Sequence, residues 1–321
     1  MIFAMKTIRP LRSSLLRLQT RLFLAAPMIL FLLATQDIAI AQSATGNFGA
    51  VSGDLNTGDR ILLMTKKIYE TNYQSGTVEI YSLRGSDLGT FVRVPHPTGL
   101  VFDDVGNLYV SSDKRPYTIQ KFAPDGTGSI FADSGLSGPH GLVFDGAGNL
   151  YVANADDDTI EKFTPDGVGT VFADADDGLS TPLDLAFDTA GNLYVSNLNS
   201  GPTGGGRVLK FTADGVGSVF ADSGLDGAYG LAFDHGGNLY VSNYNSNTIE
   251  EFSPTGTDLG VFASVGLNQP HGMLFSQGYL YVANRGNNTI EKFSSTGEDL
   301  GVFAYTGGGP HFLTMFRPTA N

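Results

Sequence analysis

An aromatic residue recurs in segments built like Thr159-Ile160-Glu161-Lys162-Phe163. Its positions are Tyr81, Phe122, Phe163, Phe211, Phe252 and Phe293, spaced 41, 41, 48, 41 and 41 residues apart. A fixed period of this length marks a modular array, in which each unit is one supersecondary element that can bury its apolar face only against its neighbours. A length of 321 residues would by itself admit two domains, but the unbroken array argues for one.

Each unit contains four strand-like pieces separated by turn residues. The first reads Pro139-His140-Gly141-Leu142-Val143-Phe144 and the second Gly148-Asn149-Leu150-Tyr151-Val152. The third is Thr159–Phe163 and the fourth Gly169-Thr170-Val171-Phe172-Ala173. Turns such as Asp145-Gly146-Ala147-Gly148 and Pro165-Asp166-Gly167 place Pro, Asp and Gly where tight hairpins need a preset φ, a side chain bonded to its own backbone, and a positive φ. In Leu150-Tyr151-Val152 neighbouring side chains point to opposite faces, yet all are apolar. Both faces of that strand are therefore buried, as between two stacked sheets.

Four-stranded units repeated radially predict an all-β, six-bladed β-propeller with four antiparallel strands per blade. First-type strands begin near Thr98, His140, Leu183, Tyr229, His271 and His311. The last of these, Pro310–Met315, has no second strand after it. At the other end Arg60–Met64, Thr77–Tyr81 and Gly89–Val94 lack a first strand before them. The C-terminal strand is thus expected beside Arg60–Met64, completing the N-terminal blade and removing exposed sheet edges. The expected layout is a lead-in over 42–59, the propeller over 60–316 and a short tail over 317–321. The one spacing of 48 reflects an insertion, Asn199–Gly206, between the second and third strands of the fourth blade. It reads as a tolerated loop extension or a flap over a ligand.

The first 41 residues differ in kind. Lys6, Arg9, Arg12, Arg17 and Arg21 precede an apolar run of 13, Leu22–Ala34, and then Ala39-Ile40-Ala41. That order is a secretory signal peptide, and the run is shorter than the roughly 20 residues of a membrane-spanning helix. The expected mature protein, secreted or periplasmic and without a membrane span, begins near Gln42. The formal charge is −13, and removing residues 1–41 takes away five cations against one anion. So acidic a chain is not built for nucleic-acid phosphates, which require a basic patch, and suits solubility or cationic partners. It contains no cysteine, so stability must come from the apolar core and from ring closure.

The units resemble NHL repeats, whose pattern P-x-G-[IL]-x-[FV]-D-x-x-G-N-[IL]-Y-V-[AS]-[DN]-x-x-N-x-[IV]-x-[KR]-F is followed nearly throughout by residues 139–163 and 270–293. The resemblance implies a six-bladed propeller. It leaves activity open among scaffolds, metal-dependent lactonases of the gluconolactonase type, and lyases, including the virginiamycin B lyase type.

In such a propeller the start of each first strand and the loop after each second strand open on the same face. The expected ligand face comprises Thr98, Asp113, Asn154, Asn197, Tyr229, Asn243, Tyr244, Asn284 and Arg285. Three of the five histidines, His140, His271 and His311, occupy matching positions at strand starts. Neutral imidazoles converging on an axis suit Zn²⁺ and leave a place for an activated water. The resemblance to the NHL-type lyase acting on peptidyl-hydroxyglycine implies these three as metal ligands, with Tyr229 as an acid/base candidate. The alternative is that Pro-His-Gly recurs by duplication alone, and blades one, three and six give no threefold ligand set. The asparagines read equally as caps of turns. Glu70 and Glu79 are carboxylates that a Ca²⁺-dependent, gluconolactonase-like site would draw on, although they fit no motif. The leading expectation is an exported module that binds an extracellular protein, peptide or glycan and requires no cofactor. The alternative is a metal-assisted lyase or lactonase using a divalent ion, Zn²⁺ or Ca²⁺, on the same face.

Overall fold

The computed structural model describes residues 67–199 and 205–316. The leader, the lead-in, Arg60–Met64, residues 200–204 of the insertion and the tail lie outside them. Within each repeat an Asp-x-x-Gly-Asn turn folds the first strand back on the second. Asp145 Oδ1 accepts from the backbone N–H groups of Ala147 (2.9 Å) and Asn149 (2.8 Å), and the Asn149 amide donates to Asp145 Oδ2 at 2.7 Å. This side-chain closure of the turn explains why Phe-Asp and Gly-Asn recur together.

The described residues form six four-stranded antiparallel sheets. Blade 2 is β4 (Pro97–Phe102), β5 (Leu108–Ser112), β6 (Thr118–Phe122) and β7 (Gly128–Ala132), running outward from the axis in chain order. Blades 3 to 6 repeat it and begin with β8 (Pro139–Phe144), β12 (Pro182–Phe187), β16 (Ala228–Phe233) and β20 (Pro270–Ser276). Blade 1 is composite, in the order β24 (Pro310–Thr314), β1 (Lys67–Asn72), β2 (Thr77–Ser82), β3 (Asp87–Arg93). First strands adjoin one another all the way round, and β24 touches both β20 and β4, so the ring is closed. A glycine at the third position of the first strand allows this close approach: a Cβ on Gly141 would lie 2.8 Å from Asp184 Cα on the next strand.

The core lies between blades. Tyr109, Ile119 and Ala132 of blade 2 pack against Leu142, Leu150, Val152 and Phe163 of blade 3, and each following seam repeats the set. Tyr151 leaves the other face of the same strand. Its ring meets Phe172 and Phe187 edge-on, with centroids 5.1 and 5.2 Å apart. Second strands are thus buried on both faces, as their sequence requires.

The closing strand pairs with a different segment from the one expected. β24 lies against Lys67–Asn72, with Tyr69 opposite Thr314 and Glu70 opposite Leu313. Ile68-Tyr69-Glu70-Thr71-Asn72 is the blade 1 counterpart of Leu150-Tyr151-Val152-Ala153-Asn154. Glu70 stands where Val110, Val152, Val195, Val241 and Val282 stand elsewhere, and this carboxylate disguises the strand. Arg60–Met64, the segment expected there, lies outside the described residues.

Glu70 is wholly buried. Oε2 accepts from the Asn72 amide at 2.8 Å and from the Tyr81 hydroxyl at 3.5 Å, and Oε1 has no partner among the described residues. Loss of water, followed by the Glu79 carboxylate directly across the ladder, raises the Glu70 carboxyl well above the usual carboxylate range. An acid whose folded pKa is raised stabilises the fold below its unfolded pKa. That contribution is lost as pH rises above about 4.3. Glu70→Val, restoring the residue of the five other blades, is expected to raise stability. The gain should grow between pH 5 and 8 at up to about 1.4 kcal/mol per pH unit. Urea unfolding of parent and variant across that range checks it, and a gain that does not depend on pH would refute the buried neutral acid.

Candidate functional site

Two registers of the repeat meet at one end of the channel. The second residue of each first strand supplies Thr98, His140, Leu183, Tyr229, His271 and His311. The residue after each second strand supplies Tyr73, Asp113, Ala155, Leu198, Tyr244 and Arg285. Nine of these twelve line a cavity of about 340 Å³, all except Thr98, Leu183 and Ala155. The sequence reading anticipated seven of the nine and missed Tyr73 and Leu198. Counting one residue past the recurring Asn would have found both.

The expected asparagines are placed elsewhere. Asn154 ends its strand and is buried. Its oxygen accepts from the Ser137 N–H (3.2 Å), and its amide donates to the Gly135 carbonyl (2.9 Å) and Thr159 Oγ1 (3.1 Å). Asn243 and Asn284 hold the corresponding loops in the same way, and Asn197 accepts from the Ser180 N–H. These side chains clamp the loops that carry the mouth residues and do not line the cavity. Thr98 is also buried, and its hydroxyl donates to the Pro139 carbonyl at 2.6 Å.

Hydroxyls from neighbouring second strands fix the mouth layer from below. Ser111 Oγ donates to the His140 carbonyl and Ser242 Oγ to the His271 carbonyl, each at 2.7 Å, and Ser196 Oγ donates to the Tyr229 carbonyl. One residue deeper, blade 4 carries Asp184 where four blades carry glycine. Its carboxylate accepts from the backbone N–H groups of Leu185 and Leu231, both at 2.8 Å. Burial outweighs these two donors and pushes the Asp184 carboxyl up to about 7. The sequence reading passed over Asp184, although the break in Pro-x-Gly at Pro182-Leu183-Asp184 was its signal.

The rings interlock. Tyr229 stacks on His271 with centroids 3.7 Å apart, and Tyr73 stacks on His311 at 4.9 Å. His271 and His311 meet edge-on at 4.6 Å, while His140 lies 6.2 Å from His311 and holds Nδ1 3.4 Å from the Tyr229 hydroxyl. Tyr73 donates to Asp113 at 3.2 Å. Loss of solvation lowers the His140 pKa to about 4 and the His271 and His311 values well below the ordinary range, and Arg285 adds to the shift in both of the latter. At neutral pH the imidazoles are uncharged, so Arg285 and Asp113 supply the formal charges of the cavity. Both ring nitrogens of His271 and of His311, and Nε of Arg285, are buried without a hydrogen-bond partner among the described residues.

Uncharged imidazoles with unpaired nitrogens have the chemistry of zinc ligands. The arrangement does not complete such a centre: among the described residues no three or more His, Cys, Asp or Glu side chains are grouped to hold a metal ion.

The fold is that of other propellers. Over 79% of its length the chain is similar to a chain of a nidogen/laminin complex, covering 99% of that chain at 20% identity and a TM-score of 0.69. It is also similar to a chain assigned as a gluconolactonase, over 67% of its own length and 80% of the other, at 19% identity and a TM-score of 0.58. No protein-family model and no curated protein matches the sequence. At these identities the likeness establishes the propeller and not the activity. Among the described residues no helix is long and apolar enough to cross a membrane.

The state of the imidazoles is directly measurable. In a proton NMR titration the His140 ring, assigned by its disappearance in His140→Gln, is expected to titrate near pH 4. A midpoint at or above 6.5 would mean that the mouth is far wetter than the structure shows.

Proposed function

We propose that this protein is an exported propeller that binds an extracellular protein, peptide or glycan through the mouth of its channel. The observation that carries this reading is the unpaired polar surface within an aromatic cup. Tyr73, Tyr229 and Tyr244 form its walls, and rings lining it hold nitrogens that no group among the described residues satisfies. Buried polar groups without partners are costly, and a ligand that supplies partners recovers that cost on binding. Tyrosine and arginine are also the residue types that most often dominate binding energy at interfaces. About 340 Å³ accommodates a sugar ring or a protruding side chain, so a larger partner would insert one group here and rest on the surrounding loops. One of the similar solved chains comes from a nidogen/laminin complex, which fits a propeller that works by holding a partner.

A second reading, a metal-assisted lyase or lactonase, draws on the three uncharged histidines and on the gluconolactonase-like fold neighbour. In that reading His140, His271 and His311 would hold the ion, with Tyr229 beside them. The metal-free reading is preferred because these side chains are not grouped as a prepared metal centre.

Two measurements separate the readings. Elemental analysis of the purified protein is expected to find no stoichiometric metal, and about one ion per chain, lost in His271→Ala, would favour the second. Arrays of extracellular proteins, peptides and glycans are expected to yield a ligand whose affinity falls about tenfold or more in Tyr244→Ala and in Arg285→Ala. Both side chains are only partly buried, so melting temperatures should stay near the parent value. A ligand indifferent to both changes would move the site away from the mouth.

A further inference from the structure

The repeat places an aspartate, a tyrosine and a lysine together on the face opposite the mouth. In blade 2 Lys121 Nζ lies 3.8 Å from Asp103 and 5.0 Å from the centre of the Tyr109 ring. In blade 3 Lys162 lies 3.7 Å from Asp145 and 5.0 Å from Tyr151, and in blade 4 Lys210 lies 3.7 Å from Asp188 and 5.1 Å from Tyr194. Three times, then, an ammonium ion rests between a turn carboxylate and an aromatic face. That position gains from both the opposite charge and the ring quadrupole.

Blade 5 keeps the aspartate and the tyrosine and replaces the lysine. Glu251 faces Tyr240 across the ladder just as Lys162 faces Tyr151. The Tyr240 hydroxyl donates to Glu251 Oε1 at 2.8 Å and lies 3.4 Å from Asp234 Oδ2. The Asn238 amide, whose blade 3 counterpart bonds the turn aspartate, here donates to Glu251 at 2.9 Å. Two carboxylates therefore flank the ring where blades 2 to 4 have one carboxylate and one cation. Lys292 of blade 6 lies 5.6 Å from the centre of its own Tyr281 ring and closer, 3.7 Å, to that of Tyr279.

A second change meets this one. Blade 6 joins its first two strands through Gln277-Gly278, with φ of +53° and +79°, instead of the longer Asp-x-x-Gly-Asn turn. Two consecutive positive φ values mark the tight hairpin. The missing turn opens a cavity of about 540 Å³ between blades 5 and 6, bordered by Asp234, His235, Tyr240, Phe275, Gln277 and Met315. Asp234 supplies a carboxylate on one side, the other is apolar, and Glu251 stands behind Tyr240, hydrogen-bonded to its hydroxyl but outside the lining. Phe275 meets Tyr240 at 4.7 Å between centroids.

We propose that this cavity binds an organic ammonium ion, its amine taking the place that lysine holds in blades 2 to 4 and its apolar body lying against Phe275 and Met315. The independent support is the chain's own precedent, since the same aspartate–tyrosine pair holds an ammonium group in three other blades. The excess of anionic side chains favours the approach of such a cation. This site is separate from the channel mouth and does not depend on the function proposed there.

Calorimetric titration of the full chain with n-hexylammonium, with n-hexanol, and with lysine blocked at its α-amino and α-carboxyl groups tests the assignment. At least one ammonium compound is expected to bind tenfold or more tightly than hexanol, with affinity falling as salt is raised. The tighter of the two tells whether the natural ligand is a free amine or the lysine of a partner. Glu251→Lys rebuilds the arrangement of blades 2 to 4, so it should melt like the parent and lose binding tenfold or more. Asp234→Asn is the second variant and should weaken binding as well. Equal affinity for hexanol, no binding of either ammonium compound, or unchanged affinity in both variants would overturn the proposal.

Discussion

No blade of this protein can shelter its own second strand. Tyr151 and Val152 leave opposite faces of one strand, and each is covered by a different neighbour, blade 4 on one side and blade 3's partner, blade 2, on the other. A lone blade would expose both faces, so the units must be stacked, and a linear stack would leave two uncovered ends. Closing the ring removes both. The composite first blade provides that closure, because β24 adds to β1 the inner strand that the N-terminal segment lacks. Cooperative stability therefore runs through the seam at which the two ends of the described chain meet, and the same seam contains the buried Glu70.

Closure also makes the mouth rigid. Three mouth residues on inner strands are held at their carbonyls by a serine of the preceding blade: Ser111 holds His140, Ser196 holds Tyr229 and Ser242 holds His271. In blades 3 to 6 the loop leading into the inner strand is clamped by the asparagine at the end of the second strand. The polar motif Tyr-Val-Ser/Ala-Asn is thus framework. Variation is left to the residues on either side of it, and those residues surround the cavity.

This division explains what could be read from the sequence. Blade number, strand order and closure followed from the 41-residue period and from counting first strands, because core contacts repeat with the period. The second strand of blade 1 did not follow, because Glu70 breaks the apolar pattern that marks every other copy. At the mouth, the strand-start histidines and Tyr229 were legible as deviations at one register. Asn154 and its equivalents were mistaken for candidates because a buried clamp and an exposed ligand group look alike in sequence. Aligning the repeats puts Asp113 one register beyond the Asn residues, and the structure shows that the two registers face different surroundings. How the three imidazoles are turned toward one another was beyond sequence, since ring orientation around a shared axis has no periodic signature.

A repeat supplies its own reference state, and departures from it can be weighed without any relative. Asp184 in place of glycine, Glu70 in place of valine and Glu251 in place of lysine each put a carboxylate where the other blades show what packing alone demands. The three are resolved differently. Asp184 is met by two backbone donors from adjacent strands, so it serves as a brace across the inner ring. Glu70 has one amide partner and one bare oxygen in a dry seam, so it costs stability in its charged form. Glu251 takes the Tyr240 hydroxyl and the Asn238 amide, which leaves the turn carboxylate of Asp234 facing open volume without the lysine that its counterparts in blades 2 to 4 have. What separates structural from receptive deviation here is the space beside the altered position, and of the three only the blade 5 change leaves a carboxylate, that of Asp234, on a cavity with room for a ligand.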